Sequence, residues 1–343
     1  MDEMQGLLQA YYASSIPSMK GAQVSDLTSL SSGWESDVYS FELAHGPGEG
    51  RQREQLILRI YPGNDARDKS AREFQGMREL HEAGYPVPEV LILERDESPF
   101  GKPFVIMERI EGQLLWPLLS GAPAAEQRRL LTLFCQLLVR LHQLDWQLFT
   151  PDNKVGAAMD SYAPVEGWLK LVYTYLERFP SPGYLPLMQW LEARKDRVPC
   201  IRPAPIHWDF HPGNVLLRDD GAAVVSDWTQ FELSDHRFDL AWTLLLLATH
   251  ASEEWRDFVL EEYERLAGNP VEQLDFFEVA ACVKRLLAVS ISLSYGPEQL
   301  GMRADAVSAM ESQLPALSRV YQLLQGKTGL EVPELNRIFA GHS

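Results

Sequence analysis

Three β-type runs of apolar residues lie in the N-terminal third of the chain: "SDVYSFEL", "EQLILRIY" and "KPFVIMERI". A charged stretch with helical spacing, "DARDKSAREFQGMRELHEAG", separates the second run from the third. Gly84 can supply the left-handed cap of this helix, and Pro86 and Pro88 prevent its continuation. The pattern therefore predicts a small sheet with one helix.

Helical periodicity dominates from "APAAEQRRLLTLFCQLLVRLHQLDW" to the end of the chain. The exception is residues 205–228, where the short apolar runs "NVLL" and "AVVSDW" flank the turn signal "RDDG" and predict a hairpin. We therefore expect an α+β protein with two lobes. The N-terminal lobe is small, antiparallel and β-rich, and the larger C-terminal lobe is mainly helical.

The expected boundary lies at "ERIEGQLL", where a β-type run passes through Gly112 into helical sequence. We assign residues 1–107 to the N-terminal lobe, 108–115 to a hinge and 116–343 to the C-terminal lobe. A junction of this kind leaves a cleft, which is a preferred position for a ligand.

The composition is that of a globular protein, since 45% of the 343 residues are hydrophobic and 23% are charged. The formal net charge of −17 argues against a nucleic-acid partner, because such binding depends on neutralising phosphates. The same charge would steer a cationic substrate favourably.

Neither a disulfide framework nor a cysteine zinc site is indicated, because Cys135, Cys200 and Cys282 are widely separated. The start, "MDEMQGLLQAYYASS", lacks the basic region and long apolar core of a secretory signal. The longest apolar stretch, "LAWTLLLLA", is about half the length of a bilayer span. We expect a cytoplasmic protein with no membrane partner, and the sequence leaves its oligomeric state open.

The stretch "APIHWDFHPGNVLL" concentrates polar groups between apolar residues and fits two kinds of chemistry. As H-x-D-x-H, it would place His207, Asp209 and His211 on one side of an extended chain, as in a metal site. As H-x-D-x-x-x-x-N, it has the spacing of a kinase catalytic loop that ends at Asn214. Asp227 follows Asn214 by thirteen residues in "VVSDW" and supplies the second acid that a kinase needs.

The ordered strings "IHWDFHPGNVLL", "VVSDW" and "DHRFDLAW" resemble the aminoglycoside phosphotransferase and choline kinase-like enzymes, which have a protein-kinase-like fold. The resemblance implies an ATP-dependent phosphotransferase that uses Mg²⁺ to move the γ-phosphate to a hydroxyl of a small molecule. It implies that residues 1–107 form a nucleotide-binding lobe and residues 116–343 a catalytic and substrate-binding lobe. It implies that Asp209 is the catalytic base, that His207 is a scaffold residue of the catalytic loop, and that Asn214 and Asp227 are the magnesium ligands. Asp239, which directly precedes the apolar run "LAWTLLLL", is expected to cap a helix or to brace the loop.

The small lobe should supply a cation for the nucleotide phosphates and an acid that holds this cation. The cation is Arg59 in "LILRIY", where this fold commonly carries lysine, so the geometry must differ. We choose Glu73 as its partner, because Glu73 shares a helix face with Met77 and Leu80 and should point toward the core.

Two further segments of the small lobe are expected to contact the nucleotide. "SSGWESDVY" stands at the position of the phosphate-covering loop, with Ser32 and Gly33 as the contact residues, although it contains one glycine. In "IMERIEG", the resemblance implies that backbone groups of Glu108 and Ile110 face an adenine.

The acceptor is the least determined part of this interpretation. The segments around 150–200 and 250–325 mix acids with aromatic residues, which would suit an ammonium-bearing acceptor through ion pairs and cation–π contacts. The acids are Glu166, Glu177, Glu253, Glu254, Glu261, Glu262 and Asp275, and the aromatic residues are Trp168, Tyr173, Tyr175, Trp190, Trp255 and Tyr295.

Two alternatives to the kinase stay open. Arg59 and the glycine-poor loop would fit a catalytically weak nucleotide-binding module of the same fold. The H-x-D-x-H string would fit a metal-dependent hydrolase, although an asparagine suits magnesium better than a transition metal.

Overall fold

The computed structural model describes residues 2–30, 36–46, 51–63, 65–95, 99–150, 160–303 and 306–340. The chain forms two compact units that are both discontinuous in sequence. The first unit contains residues 1–112, 216–229 and 301–305, and the second contains residues 113–215, 230–300 and 306–343. The roles that we assigned to the ranges 1–107, 108–115 and 116–343 stay predictions.

The first unit is built on a five-stranded sheet with the order β1-β2-β3-β5-β4, in which all neighbouring strands are antiparallel. The strands are β1 Gln23–Ser29, β2 Asp37–His45, β3 Gln52–Ile60, β4 Val90–Glu94 and β5 Phe104–Glu108. Two helices accompany the sheet, α1 Asp2–Ser15 and α2 Ala66–Glu82. The predicted antiparallel sheet and the predicted helix α2 are thus confirmed.

Helix α1 was not predicted, although its apolar pairs recur at helical spacing. Its Leu8 and Tyr12 are buried in one core with Leu56, Leu58 and Ile60, the alternate residues of β3 that face it. Two hydrogen bonds add to this packing: the Gln9 side chain donates to Ala22 O at 2.7 Å and accepts from Val24 N at 2.8 Å. The helix therefore closes one face of the sheet, and α2 contacts β4 and β5.

The second unit is mainly helical. Its helices are α3 Leu115–Gly121, α4 Ala124–Gln143, α5 Ala163–Arg178, α6 Leu185–Glu192, α7 His236–His250, α8 Glu253–Ala267, α9 Leu274–Tyr295, α10 Ala306–Ser312, α11 Leu314–Thr328 and α12 Pro333–Ala340. Helices α7 and α9 are apolar on almost all sides and are buried, as expected for helices at the centre of a large core. Short strands β7 Ala204–Ile206 and β10 Glu232–Ser234 pair antiparallel.

The predicted hairpin is present as β8 Val215–Leu217 and β9 Ala223–Val225, and the two-residue strand β6 Gln113–Leu114 completes the set of strands. The turn closes with Gly221 N donating to Arg218 O, and Gly221 adopts a φ of +84° that favours glycine. Gly112 also needs to be glycine, because a Cβ there would lie 2.7 Å from Leu217 O. Within the described ranges, no helix has both the length and the apolar character to cross a bilayer.

Candidate active site

The loop between β7 and β8 is held by hydrogen bonds to a buried carboxylate. Asp239 in the first turn of α7 accepts hydrogen bonds from His207 N at 2.9 Å and Trp208 N at 2.8 Å. Trp208 has a φ of +64°, a conformation that costs free energy in a residue other than glycine. Asp239 therefore braces the loop, one of the two roles expected for it, whereas the cap of α7 is Asp235, whose side chain accepts from Arg237 N at 3.0 Å.

Asp209 presents a partly exposed carboxylate, since 34% of its side chain is accessible. Trp242 Nε1 donates to its Oδ1 at 2.8 Å, and His211 Nε2 lies 3.6 Å from its Oδ2. Desolvation raises the pKa of Asp209, but His211, the Trp242 hydrogen bond and Lys284 outweigh it and hold the pKa well below its usual range. The side chain is therefore an oriented, ionised acceptor of hydrogen bonds.

Asn214 is tied to the same loop, because its Nδ2 donates to Asp209 O at 2.9 Å. A 3₁₀ turn, Pro212–Asn214, sets its position, and His211 Nδ1 accepts from Gly213 N at 2.9 Å. A Cβ on Gly213 would lie 2.7 Å from the His211 ring, so the close approach of the imidazole requires glycine. This hydrogen bond uses the amide nitrogen of Asn214, and the other amide atom is an oxygen, the kind of ligand that a hard cation prefers.

The Nδ1 atoms of both histidines in the H-x-D-x-H string accept hydrogen bonds inside the loop itself. His207 Nδ1 accepts from Asp209 N at 3.3 Å, and the His207 side chain is fully buried. His211 Nδ1 is taken by Gly213 N, as described above. Across the described part of the chain, no group of three or more His, Cys, Asp or Glu side chains could hold a metal ion, so the hydrolase alternative has no ligand set there.

The first unit contains a buried network around Arg59, which the structure places on β3 between Leu58 and Ile60. The guanidinium donates from Nε to Ser36 Oγ at 2.8 Å, from Nη1 to Glu73 Oε1 at 2.9 Å and from Nη2 to Asp227 Oδ1 at 2.7 Å. The expected ion pair of Arg59 with Glu73 is therefore formed. Glu73 is fully buried beside Met77 and Leu80 on α2, as its helix position indicated.

Two features of this network could not be read from the sequence. Tyr61 is buried and donates its hydroxyl to Glu73 Oε2 in a short hydrogen bond, and burial next to this carboxylate raises its pKa well above the usual range. Burial by itself lowers the pKa of Arg59, but Asp227 and Glu73 outweigh it and raise that pKa well above its usual range. The arginine therefore stays charged although it is buried.

Asp227 follows β9 with a φ of +68°, which is uncommon for a residue other than glycine. The next residue, Trp228, is fully buried and donates from Nε1 to Val225 O at 2.9 Å, which anchors the turn. The Asp227 side chain is 38% exposed, and its carboxylate oxygens are donors of the kind that magnesium prefers. The residues expected to hold Mg²⁺, Asn214 and Asp227, thus both offer oxygen.

The other predicted nucleotide contacts are less defined. Ser32 and Gly33 lie outside the described residues. Glu108 N donates to Glu89 O at 2.8 Å, so an adenine contact of Glu108 would fall to its carbonyl oxygen. Ile110 follows the end of β5 and is partly buried. These four assignments stay predictions.

The side chains expected to attract a cationic acceptor are partly engaged elsewhere. Trp168 is buried in the core of the second unit. Three of the acids are held by the protein's own cations: Glu166 lies 3.4 Å from Lys195, Glu262 lies 2.6 Å from Arg265, and Asp275 lies 2.7 Å from Lys327. Two other residues, Trp242 and Lys284, interact with Asp209. The sequence did not indicate them because they lie on α7 and α9, far along the chain.

The protein is a phosphotransferase with a protein-kinase-like fold. Its antiparallel sheet carries the arginine–carboxylate network, and its helical unit carries the aspartate loop. A model of the Phosphotransferase enzyme family matches residues 26–277, and the chain belongs to this family.

Known structures share the fold. Aminoglycoside phosphotransferase APH(4)-Ia, as a thermostable mutant in a ternary complex with ADP and hygromycin B, superposes with a TM-score of 0.57 at 20% identity over 88% of this chain and 94% of that one. An ethanolamine kinase of Plasmodium vivax gives a TM-score of 0.56 at 12% identity over 88% of this chain and 83% of that one.

A curated relative is similar in sequence over part of its length. "Acyl-CoA dehydrogenase family member 10" of the mouse is 33% identical over 199 residues, which are 56% of this chain and 18% of the mouse protein. The chain thus spans less than a fifth of the length of this relative.

Proposed function

We propose that the protein is an ATP-dependent phosphotransferase that moves the γ-phosphate to a hydroxyl of a small molecule. The observation that carries the proposal is the Asp209 carboxylate, which is oriented by Trp242, ionised and accessible at the end of a loop braced by Asp239. Membership of the phosphotransferase family supports the reaction class. The complex of APH(4)-Ia with ADP supports a nucleotide as the donor.

Each group of site residues has a distinct role in the proposed reaction. Arg59, held by Glu73, contacts the nucleotide phosphates, and the Asp227 carboxylate and the Asn214 amide oxygen bind Mg²⁺, which would neutralise phosphate charge. Asp209 accepts a hydrogen bond from the acceptor hydroxyl, orients its oxygen toward the γ-phosphorus and takes its proton. His207 acts by holding Asp209 N, not by touching the substrate.

A catalytically weak nucleotide-binding module is the second candidate, and one observation favours it. Arg59 already binds an oxygen of Asp227, so nucleotide phosphates and Mg²⁺ compete with an internal ion pair for the same two side chains. The dehydrogenase in the name of the mouse relative is not proposed for this chain, because the match covers 18% of that protein.

The test is Asp209→Asn, measured by ADP release with magnesium ATP across a panel of hydroxyl acceptors. We expect the rate to fall by roughly 10²–10⁴-fold, the contribution of a general base, while nucleotide affinity measured by calorimetry is retained. Asp196→Asn, at an exposed position, is the matched control and should behave as the wild type. An unchanged rate in Asp209→Asn would reject Asp209 as the base, whereas a wild type that releases no ADP in response to any acceptor would favour the weak module.

A further inference from the structure

The imidazole of His211 has a defined tautomer. Its Nδ1 accepts from Gly213 N at 2.9 Å, so this nitrogen carries a lone pair and no proton. A neutral imidazole then has its one proton on the other ring nitrogen. His211 therefore presents Nε2 as an N–H donor, and this nitrogen lies 3.6 Å from Asp209 Oδ2.

Packing holds the ring in this orientation. The indole of Trp116, on α3, meets the imidazole edge to face, with the ring centroids 6.2 Å apart and the planes at 84°. Trp116 makes a second contact of this type with His250, the last residue of α7, at 6.4 Å. Turning the imidazole away from Asp209 would break its hydrogen bond with Gly213 and disturb its contact with Trp116.

Both oxygens of the Asp209 carboxylate thus have a ring N–H donor beside them. Trp242 Nε1 donates to Oδ1 at 2.8 Å, and His211 Nε2 lies beside Oδ2. A carboxylate held at both oxygens does not turn about its Cβ–Cγ bond, so the direction from which a hydroxyl can approach it is fixed. Hydrogen bonds of a catalytic base are often long without substrate and shorten in the complex, and we expect the same of the contact between Nε2 and Oδ2.

We infer that His211 is a positioning residue for the base, which donates from Nε2 to Asp209 Oδ2 and fixes the plane of that carboxylate toward the acceptor hydroxyl. The inference rests on the proposed phosphotransferase function. The acceptor hydroxyl passes its proton to Asp209, and its oxygen forms a bond to the γ-phosphorus. The bond from that phosphorus to the β,γ-bridging oxygen breaks, and its electron pair leaves with ADP. His211 exchanges no proton in these steps and acts only through Asp209.

Two substitutions separate the roles of the two ring nitrogens. The Oδ1 of asparagine is as many bonds from Cα as the Nδ1 of histidine, so His211→Asn keeps an acceptor for Gly213 N and loses the donor to Asp209. The Nε2 of glutamine is as many bonds from Cα as the Nε2 of histidine, so His211→Gln keeps a donor for Asp209. The first variant therefore tests the N–H, and the second tests whether another N–H can replace it.

ADP release is measured with magnesium ATP and a panel of sugars, amino alcohols and hydroxy acids, and kcat and KM are determined for the acceptor with the highest kcat/KM. In His211→Asn we expect kcat to fall by roughly tenfold to a hundredfold, the value of a hydrogen bond to a charged group. The KM of the acceptor and the nucleotide affinity measured by calorimetry should change little. His211→Gln should recover part of kcat. His81→Asn, the same substitution at an exposed histidine of α2, is the control and should behave as the wild type.

The tautomer is measured directly and without turnover. Long-range proton–nitrogen NMR correlation spectra of the isotope-labelled full chain distinguish the two neutral tautomers, and the His211 signals are those that His211→Asn removes. We expect the Nε2–H form at about pH 8, where an ordinary imidazole is neutral. An Nδ1–H form would overturn the inference whatever the kinetics show.

The failures are distinguishable. If kcat in His211→Asn is unchanged or higher, or if only the KM of the acceptor rises, His211 does not position the base and the inference is wrong, although the enzyme is still a phosphotransferase. Equal losses of kcat and nucleotide affinity in the Asn and Gln variants would make His211 a structural residue of the loop. If no member of the panel speeds ADP release by the wild type, the proposed function itself fails, and the role of His211 fails with it.

Discussion

Arg59 satisfies three acceptors at once, which explains how an arginine can stand where the fold commonly carries lysine. Its planar fork donates separately to Ser36, Glu73 and Asp227, whereas a lysine ammonium would have to reach all three from a single atom. Glu73 is fully buried, so its charge depends on the partners that the network supplies. The network is thus both a structural element of the first unit and the proposed phosphate site.

Arg59→Ala should destabilise the protein by about 3–5 kcal/mol, because it leaves the buried Glu73 carboxylate without its cation. Arg59→Lys should cost less, since the charge is kept although the fork is lost. Denaturant unfolding and the Michaelis constant for ATP measure the two effects. Arg53→Ala, which removes an exposed pair with Glu42, is the matched control and should change stability by less than about 1 kcal/mol. If Arg59→Ala changes neither quantity, the phosphate cation lies elsewhere.

At the scale of elements, helix α7 has several buried charged residues at its N-terminus. Its first turn holds the cap Asp235, the buried Arg237 and the loop brace Asp239, and the rest of the helix is almost entirely apolar. The Arg237 guanidinium donates to Asp235 Oδ2 at 2.6 Å and to Pro199 O at 2.8 Å. One helix end therefore positions both the chain before β7 and the loop that holds the proposed base.

Asp239→Ala should lower the free energy of unfolding by roughly 2–6 kcal/mol, because it leaves two buried N–H groups of the loop without an acceptor, each at a cost of about 1–3 kcal/mol. Turnover should fall as well, since Trp208, which donates to Asp239 and has an uncommon conformation, directly precedes the proposed base Asp209. Denaturant unfolding and ADP release measure these losses. Asp257→Ala, at an exposed aspartate of α8, is the control. Wild-type stability in Asp239→Ala would show that the loop holds its own conformation.

His236, the first residue of α7, should make stability depend on pH. Burial is the main cause that lowers its pKa from 6.5 to about 4, and the neighbouring His142 adds to the effect. Arg237 and Arg202 act in the same direction, whereas Asp235 opposes them. Between these two pKa values the unfolded state binds more protons than the folded state, so acid favours unfolding.

The stabilising contribution of a neutral His236 is complete above about pH 6.5 and is lost progressively as the pH falls to about 4. Denaturant unfolding of the wild type and of His236→Gln across this window measures it. We expect the stability of the wild type relative to the variant to decrease on acidification. A constant difference between the two proteins would mean that His236 titrates alike in both states.

For the molecule as a whole, the sequence was most informative where one residue or one short segment carries the signal. The hairpin follows from "RDDG", and the burial of Glu73 follows from its spacing to Met77 and Leu80 on one helix. Arg59 was chosen because it stands in "LILRIY", at the position where the fold that the sequence resembles commonly carries lysine. Such local signals need no knowledge of distant parts of the chain.

The remaining features depend on residues that meet only through folding. Trp242 and Lys284 reach Asp209 from helices that follow it by 33 or more positions, and no periodicity within α7 or α9 marks them. Trp208 is left-handed where Asp239 accepts from its N–H, and Asp227 is left-handed directly before the buried Trp228, whose side chain bonds to Val225 O. The composition, with its net charge of −17, therefore did not indicate that the cation Lys284 acts on Asp209.

The last expectation concerns nucleotide binding, which both the kinase and the weak module require. Any ligand that binds the folded state stabilises the whole chain by mass action, by about 2.7 kcal/mol when its concentration is a hundredfold above Kd. A nonhydrolysable ATP analogue with magnesium should therefore give calorimetric heat and a rise in Tm, and ATP should be preferred to GTP. Asp227→Ala should weaken this binding, since it removes a carboxylate that Arg59 and the metal share, whereas Asp209→Asn should retain it. If neither nucleotide gives heat or a shift in Tm, both functions are excluded, and equal loss of binding in the two variants would show that the roles given to the two aspartates are wrong.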